Sequence, residues 1–190
     1  GYRMYSIECM VSEHNNIVRM LNVVKNACCG ILEGEDVNDA DFRLMIDFIR
    51  NYADKHHHGK EEKILFPEMV AKLGPVAEAL VTHGMLVEHD LGRSHILGLE
   101  TALNEYKKNK RTDLKLDILT EAMGYAHLLQ THIEKENSVV YTFAERQLKD
   151  EDFVRIDAAC RDFETAAEDL GTQRHYLDIL EKMENKYPVA

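Results

Sequence analysis

His57-His58-Gly59-Lys60-Glu61-Glu62-Lys63-Ile64-Leu65-Phe66 recurs 75 residues later as His132-Ile133-Glu134-Lys135-Glu136-Asn137-Ser138-Val139-Val140-Tyr141. In both copies a histidine is followed at three by lysine and at four by glutamate, then by two aliphatics and an aromatic. Residues four apart share one face of an α-helix, so each copy projects an imidazole and a carboxylate together. Glu13-His14 and Glu88-His89 stand at the same offset of 75. Three coincidences of metal-ligand type at one offset, with a matching apolar trio, define a duplicated helical pair.

The rest of the chain is also helical in pattern. Ile17, Met20, Leu21 and Val24 recur at three and four, which predicts a first helix from about Tyr5 to Leu32. Glu33 to Asn38 is polar and turn-like, and Asp39 offers an N-cap for the second helix. That helix carries Phe42, Met45, Ile46 and Ile49 on one face and runs to about Leu73, with a kink or a short break expected near Gly59 to Pro67. Gly74-Pro75 is a stop signal. A third helix is expected from about Val76 to Lys108 and a fourth from about Asp113 to Leu148, joined by the basic turn Lys107 to Arg111. The fold class is therefore all-α, an up-down-up-down four-helix bundle over residues 5–148. Residues 149–187 form a helical extension, broken at Gly171, with Phe153, Ile156, Ala159 or Cys160, and Phe163 in register. Capping of the bundle is its preferred reading; covering a pocket mouth or forming a homodimer interface are the alternatives.

Chain-length arithmetic places the duplicated residues at one height. His14 lies 22 residues before Asp36 in the first link and His57 lies 21 after it. Antiparallel helices rise equally per residue on either side of a turn, so the two histidines meet. His89 and His132, also 43 apart, straddle the basic link, while Glu61 and His89 stand 13 and 14 residues from Gly74 and Pro75. His14, His57, Glu61, His89, His132 and Glu136 thus fall in one layer. Four imidazoles and two carboxylates without a thiolate suit iron, with manganese or zinc as alternatives. The two carboxylates can span two metals, and a bridging oxo or hydroxo is expected. Coordination positions remain for oxygen, nitric oxide or peroxide. Glu13 and Glu88 are candidate acceptors for the ligand imidazoles. His56 and His58 flank His57 at about 100° of rotation on an α-helix and are expected to be exposed. Tyr125, seven residues before His132, is a core aromatic or a pocket-lining one.

In these residues the chain resembles the hemerythrin-like family of HHE cation-binding domains over about residues 5–148. The resemblance implies a non-haem di-iron centre with His14, His57, Glu61, His89, His132 and Glu136 as ligands. Oxygen-carrying members place a second histidine one turn before the third-helix ligand, where this chain has Met85. Their last carboxylate is an aspartate five residues beyond the final histidine; here position 137 is asparagine and Glu136 takes the role. These departures argue against simple oxygen transport. The four-histidine, two-glutamate set looks more like the iron-sulfur cluster repair branch.

A formal net charge of -11 argues against a nucleic-acid partner and an anionic membrane surface. No apolar run approaches the roughly 20 residues that span a bilayer, and no signal peptide is read at the start. Met4 is read as the natural start and Gly1 as a cloning remnant. Cys9, Cys28, Cys29 and Cys160 form no CxxC pair and are read as reduced, packed thiols, which points to the cytoplasm. Three functions follow as expectations: a protein that binds or senses oxygen, nitric oxide or peroxide, as in a stress response; a redox enzyme or cluster-repair factor; or a metal-free interaction bundle.

Overall fold

The computed structural model describes residues 4–189, and every described segment with regular structure is helical. The reading of Gly1 as a remnant lies outside the described residues. Helix α1 is Tyr5–Leu32. Helix α2 covers residues 39–73, beginning as Asp39–Phe48 and passing through π-helical turns at Ile49–His58 and Glu61–Leu65. Gly74 breaks it with φ 72, a left-handed conformation that glycine adopts without a Cβ penalty. Helix α3 covers residues 75–108 and includes a π turn at Val81–Met85. Helix α4 covers residues 112–147 with a π turn at Glu136–Val140. Two further helices follow, α5 at Asp150–Asp169 and α6 at Thr172–Lys186, separated by Gly171 with φ 72.

Two local expectations are corrected. The cap of α2 is Asn38, whose side chain accepts from the Asp41 amide at 3.0 Å, one residue before the expected Asp39. At the start of α5, Asp152 accepts from the Lys149 amide at 3.0 Å. The expected kink before Pro67 is absent as a break: Gly59 keeps helical angles, and the widened turn Glu61–Leu65 passes the chain into the α-helical segment that Pro67 opens. A proline lacks the amide that would bond four residues back, and a one-residue register shift ahead of it absorbs the loss. The π turns at Glu61–Leu65 and Glu136–Val140 are themselves 75 residues apart, so the duplication extends to backbone conformation.

α1 to α4 pack as an antiparallel bundle in which α3 lies along α4 and α1 along α4 and α2, while α5 and α6 pack on α1 and α2. Ile17, Met20, Leu21 and Val24, with Phe42, Met45, Ile46 and Ile49, join one apolar cluster toward the link ends of the bundle. A second cluster contains Ile7, Met10, Leu65, Phe66, Met69, Met85 and Tyr141, closed over by Phe153, Ile156 and Cys160 of α5. Met85, where oxygen carriers have a histidine, is thus a core residue. Between the two clusters lies a layer of buried polar side chains. All four cysteines are free thiols, Cys28 and Cys160 buried.

Candidate metal centre

The layer holds every one of the six candidate residues, each at most 2 % exposed. Ligand-type atoms of His14, His57, Glu61 and Glu136 lie within 4.8 Å of one another, as do those of His58, Glu61, His89 and His132. Each glutamate reaches across both groups. Glu61 Oε1 is 3.6 Å from His57 Nε2 and 3.5 Å from His89 Nε2. Glu136 Oε1 is 3.2 Å from His14 Nε2 and 3.0 Å from His132 Nε2.

Every imidazole is oriented from outside by an acceptor on its Nδ1. His57 donates to Glu13 at 2.8 Å, and His132 to Glu88 at 3.0 Å. His89 donates to Glu62 at 2.7 Å, and His14 to the Asn137 side-chain oxygen at 2.7 Å. These bonds repeat at the offset of 75, down to the lysines: Lys60 pairs with Glu13 and Lys135 with Glu88. With Nδ1 held from outside, each Nε2 is turned inward, the usual orientation of a metal-bound histidine and its carboxylate.

The inward atoms are the unsatisfied ones. His57 Nε2, Glu61 Oε1, His89 Nε2, His132 Nε2 and Glu136 Oε2 are buried with no hydrogen-bond partner among the described residues. Orphaned buried polar atoms are rare and costly, and five facing one another suit a cation better than any hydrogen-bond scheme. The donor set, imidazole and carboxylate, suits the same conclusion.

Protonation in the metal-free chain follows from the crowding. Burial, then the charge of Glu136, pushes the Glu61 carboxyl up to about 8. Glu136 is held well below its ordinary value because its interactions, His132 foremost, outweigh burial. Burial and the neighbouring His14 bring His57 down to about 4, a neutral ring ready to ligate. At His89 burial is outweighed by Glu61 and Glu62, which raise it to about 10.

Two residues expected at the surface are buried instead. His56 and His58 are 3 % and 4 % exposed. His58 joins the centre: it stacks on His89 with ring centroids 3.6 Å apart and donates its Nδ1 to Asp54 at 3.0 Å. His57 and His58 both turn inward because Ile49–His58 is π-helical, and a wider turn separates successive side chains by a smaller angle than in an α-helix. His56 points the other way, toward Glu13 at 3.0 Å and Glu164 of α5 at 3.1 Å. There Lys60 is buried between Glu13 and Glu164, also contacting His56 Nε2 at 3.1 Å. The triple histidine carried the signal for His58, but only the helix geometry could say which neighbours face inward. A third residue was missed outright. Tyr141 donates its hydroxyl to Glu61 at 2.8 Å and stands 3.3 Å from His14 Nε2, in the place its repeat partner Phe66 takes near His89. His83 and His127 are exposed and belong to neither ligand group. Tyr125 is buried and lines a cavity with His58 and His89.

A four-helix bundle with a buried imidazole-carboxylate layer defines a cation-binding helical protein. A family model for the hemerythrin HHE cation-binding domain matches residues 6–144, and the chain belongs to that family. No curated protein and no solved structure matches it. Among the described residues no helix is long and apolar enough to cross a membrane.

Proposed function

We propose that the chain binds two iron ions through His14, His57, Glu61, His89, His132 and Glu136, with His58 as a fifth imidazole. The centre then binds or senses oxygen, nitric oxide or peroxide. The five inward-facing buried atoms without partners carry the reading. Glu61 and Glu136 would be shared between the two ions, since each contacts a histidine from both halves of the chain. His58, His89 and His132 serve one ion; His14 and His57 serve the other. Iron supplies reversible redox chemistry and open coordination positions for small oxidants. The protein's own part is to fix ring orientation through Glu13, Glu88, Glu62, Asp54 and Asn137 and to keep bulk water out between two apolar clusters.

The halves are unequal. The His14 side has a neutral acceptor, Asn137, and the Tyr141 hydroxyl; the His89 side has a charged acceptor, Glu62, and an extra imidazole. The His14 side has fewer protein donors, which favours it as the position where an external ligand enters. A centre with a fifth imidazole would differ from the four-histidine set on which likeness to a cluster-repair branch rests. Redox turnover is the second reading, favoured by the buried Tyr141 hydroxyl beside the carboxylate bridge.

Metal analysis after anaerobic purification tests the proposal. Two irons per chain are expected, with the content falling on His57→Ala or His132→Ala. Unchanged metal in both variants would overturn it. Mixing the reduced protein with oxygen then separates the readings: a reversible oxygenated spectrum supports binding, whereas irreversible oxidation with peroxide turnover supports the enzyme.

A further inference from the structure

Arg93 joins two of the side chains that hold the histidine rings from outside. Its Nη2 donates to Asp54 Oδ1 at 2.8 Å and to Glu62 Oε2 at 2.6 Å, and its Nε donates to Asp54 Oδ2 at 2.9 Å. Two of these oxygens also take the imidazoles: His58 Nδ1 meets Asp54 Oδ1 at 3.0 Å, and His89 Nδ1 meets Glu62 Oε2 at 2.7 Å. Because His58 stacks on His89, the side chains of His58, Asp54, Arg93, Glu62 and His89 close a ring. Arg93 Nη1 donates to Asp90 at 2.8 Å, which holds the guanidinium from its other end. Glu13 and Glu88 each have a lysine of their own, whereas Asp54 and Glu62 share this one arginine.

The spacing is regular. Asp54, His58 and Glu62 stand four apart on α2, and His89 and Arg93 stand four apart on α3. At the offset of 75, the other half has Leu129, Ile133 and Asn137 for Asp54, His58 and Glu62, and Val18 for Arg93. Leu129 and Ile133 are buried in the apolar cluster, and Val18 packs against it. The duplication thus keeps the His14 and His89 pair but breaks together at the other four members of the ring. Asp54, His58 and Glu62 present ligand-type atoms within 4.8 Å of one another. Two carboxylates that close repel unless a cation joins them, and a guanidinium offers the planar fork that bonds both at once.

We propose that Arg93 is a positioning residue of the metal centre: it holds Asp54 and Glu62 together, and through them it sets His58 and His89 as one unit. This role rests on the reading of the layer as a two-metal centre. It deepens that reading by making the His58, His89 and His132 position depend on a side chain that bonds none of the ligands itself. The sign of the effect separates the role from simple electrostatics. Removing a positive charge near a cation site strengthens cation binding through space. Removing a clamp weakens binding, and only at the position whose rings it holds.

Cobalt(II) titration of the metal-free full chain, followed by visible absorption, tests this. Wild type should take two ions. In Arg93→Ala one of the two should bind about tenfold more weakly, in the range that loss of an outer partner costs, and the other as in wild type. Arg50→Ala removes an arginine that lines the same pocket but pairs with Glu100, and it should not weaken cobalt binding. Added to Asp54→Asn with Glu62→Gln, Arg93→Ala should cost no more than about twofold further, since it acts through those carboxylates. Metal-free Arg93→Ala should melt within roughly 2–4 °C of wild type, because exposed ion pairs add little to folding. Unchanged or tighter cobalt binding in Arg93→Ala, equal weakening of both ions, or equal weakening by Arg50→Ala would overturn the proposal. So would the full cost persisting in the triple variant, or a larger fall in melting temperature. Two ions in wild type with Arg93→Ala unchanged removes this claim alone; no saturable cobalt binding in wild type removes the metal centre and this claim with it.

Discussion

At the scale of single residues, His56, His57 and His58 show how little chemical identity says about role. Three consecutive imidazoles are buried, yet their partners differ: Glu13 and Glu164 for His56, Glu13 and the centre for His57, Asp54 and the centre for His58. The assignment predicts that His58→Ala lowers metal affinity by roughly 10–100-fold, at least as much as losing an outer acceptor costs. His56→Ala should leave the metal content at the wild-type value. Competition with a chromophoric chelator measures both, and equal losses in the two variants would contradict the placement of His58.

At the scale of elements, α5 is tied to α2 by charge as well as by its apolar face. Lys60 of α2 is fully buried, and Glu164 of α5 and Glu13 of α1 neutralise it. Burial works to raise the Glu164 carboxyl, but His56 and Lys60 outweigh it and hold it at about 2. A carboxyl depressed in the folded state stabilises the fold above its unfolded value and ceases to do so as pH falls through its folded one. Its contribution should therefore fade between about pH 4.5 and pH 2. Glu164→Gln leaves Lys60 with one carboxylate and should destabilise the chain by roughly 3 kcal/mol at neutral pH. Urea melts at pH 7 and pH 3 check this: the gap between variant and wild type should shrink at the lower pH. A constant gap would mean that Glu164 acts by packing alone.

At the scale of the whole molecule, the metal-free bundle keeps a polar layer between two apolar clusters and leaves five of its atoms unpaired. Loading should relieve that cost. Ferrous ion at a hundred times its dissociation constant should stabilise the fold by about 2.7 kcal/mol per independent site, seen as a rise in Tm that a chelator reverses. The metal must also displace protons from Glu61, raised to about 8, and His89, raised to about 10. Metal affinity should therefore climb as pH rises through the neutral range and fall on acidification. Flat affinity between pH 6 and pH 8.5 would show that those groups lie outside the coordination set.

The sequence alone determined the duplication, the helix count in the bundle, and the common height of His14, His57, Glu61, His89, His132 and Glu136. These follow from rise per residue and the four-residue face, which are local and periodic quantities. The breaks at Gly74 and Gly171 were legible for the same reason: a backbone need selects its residue. Only the tertiary structure decided that His58 faces the centre and His56 faces α5, that Tyr141 reaches Glu61, and that Tyr125 opens on a cavity. Adjacent side chains are sorted by the local twist, and the π turns that set it here depend on how four helices and a tail pack together. Spacing along the chain encodes the height of a residue in the bundle, but which way it faces there is set by non-local packing.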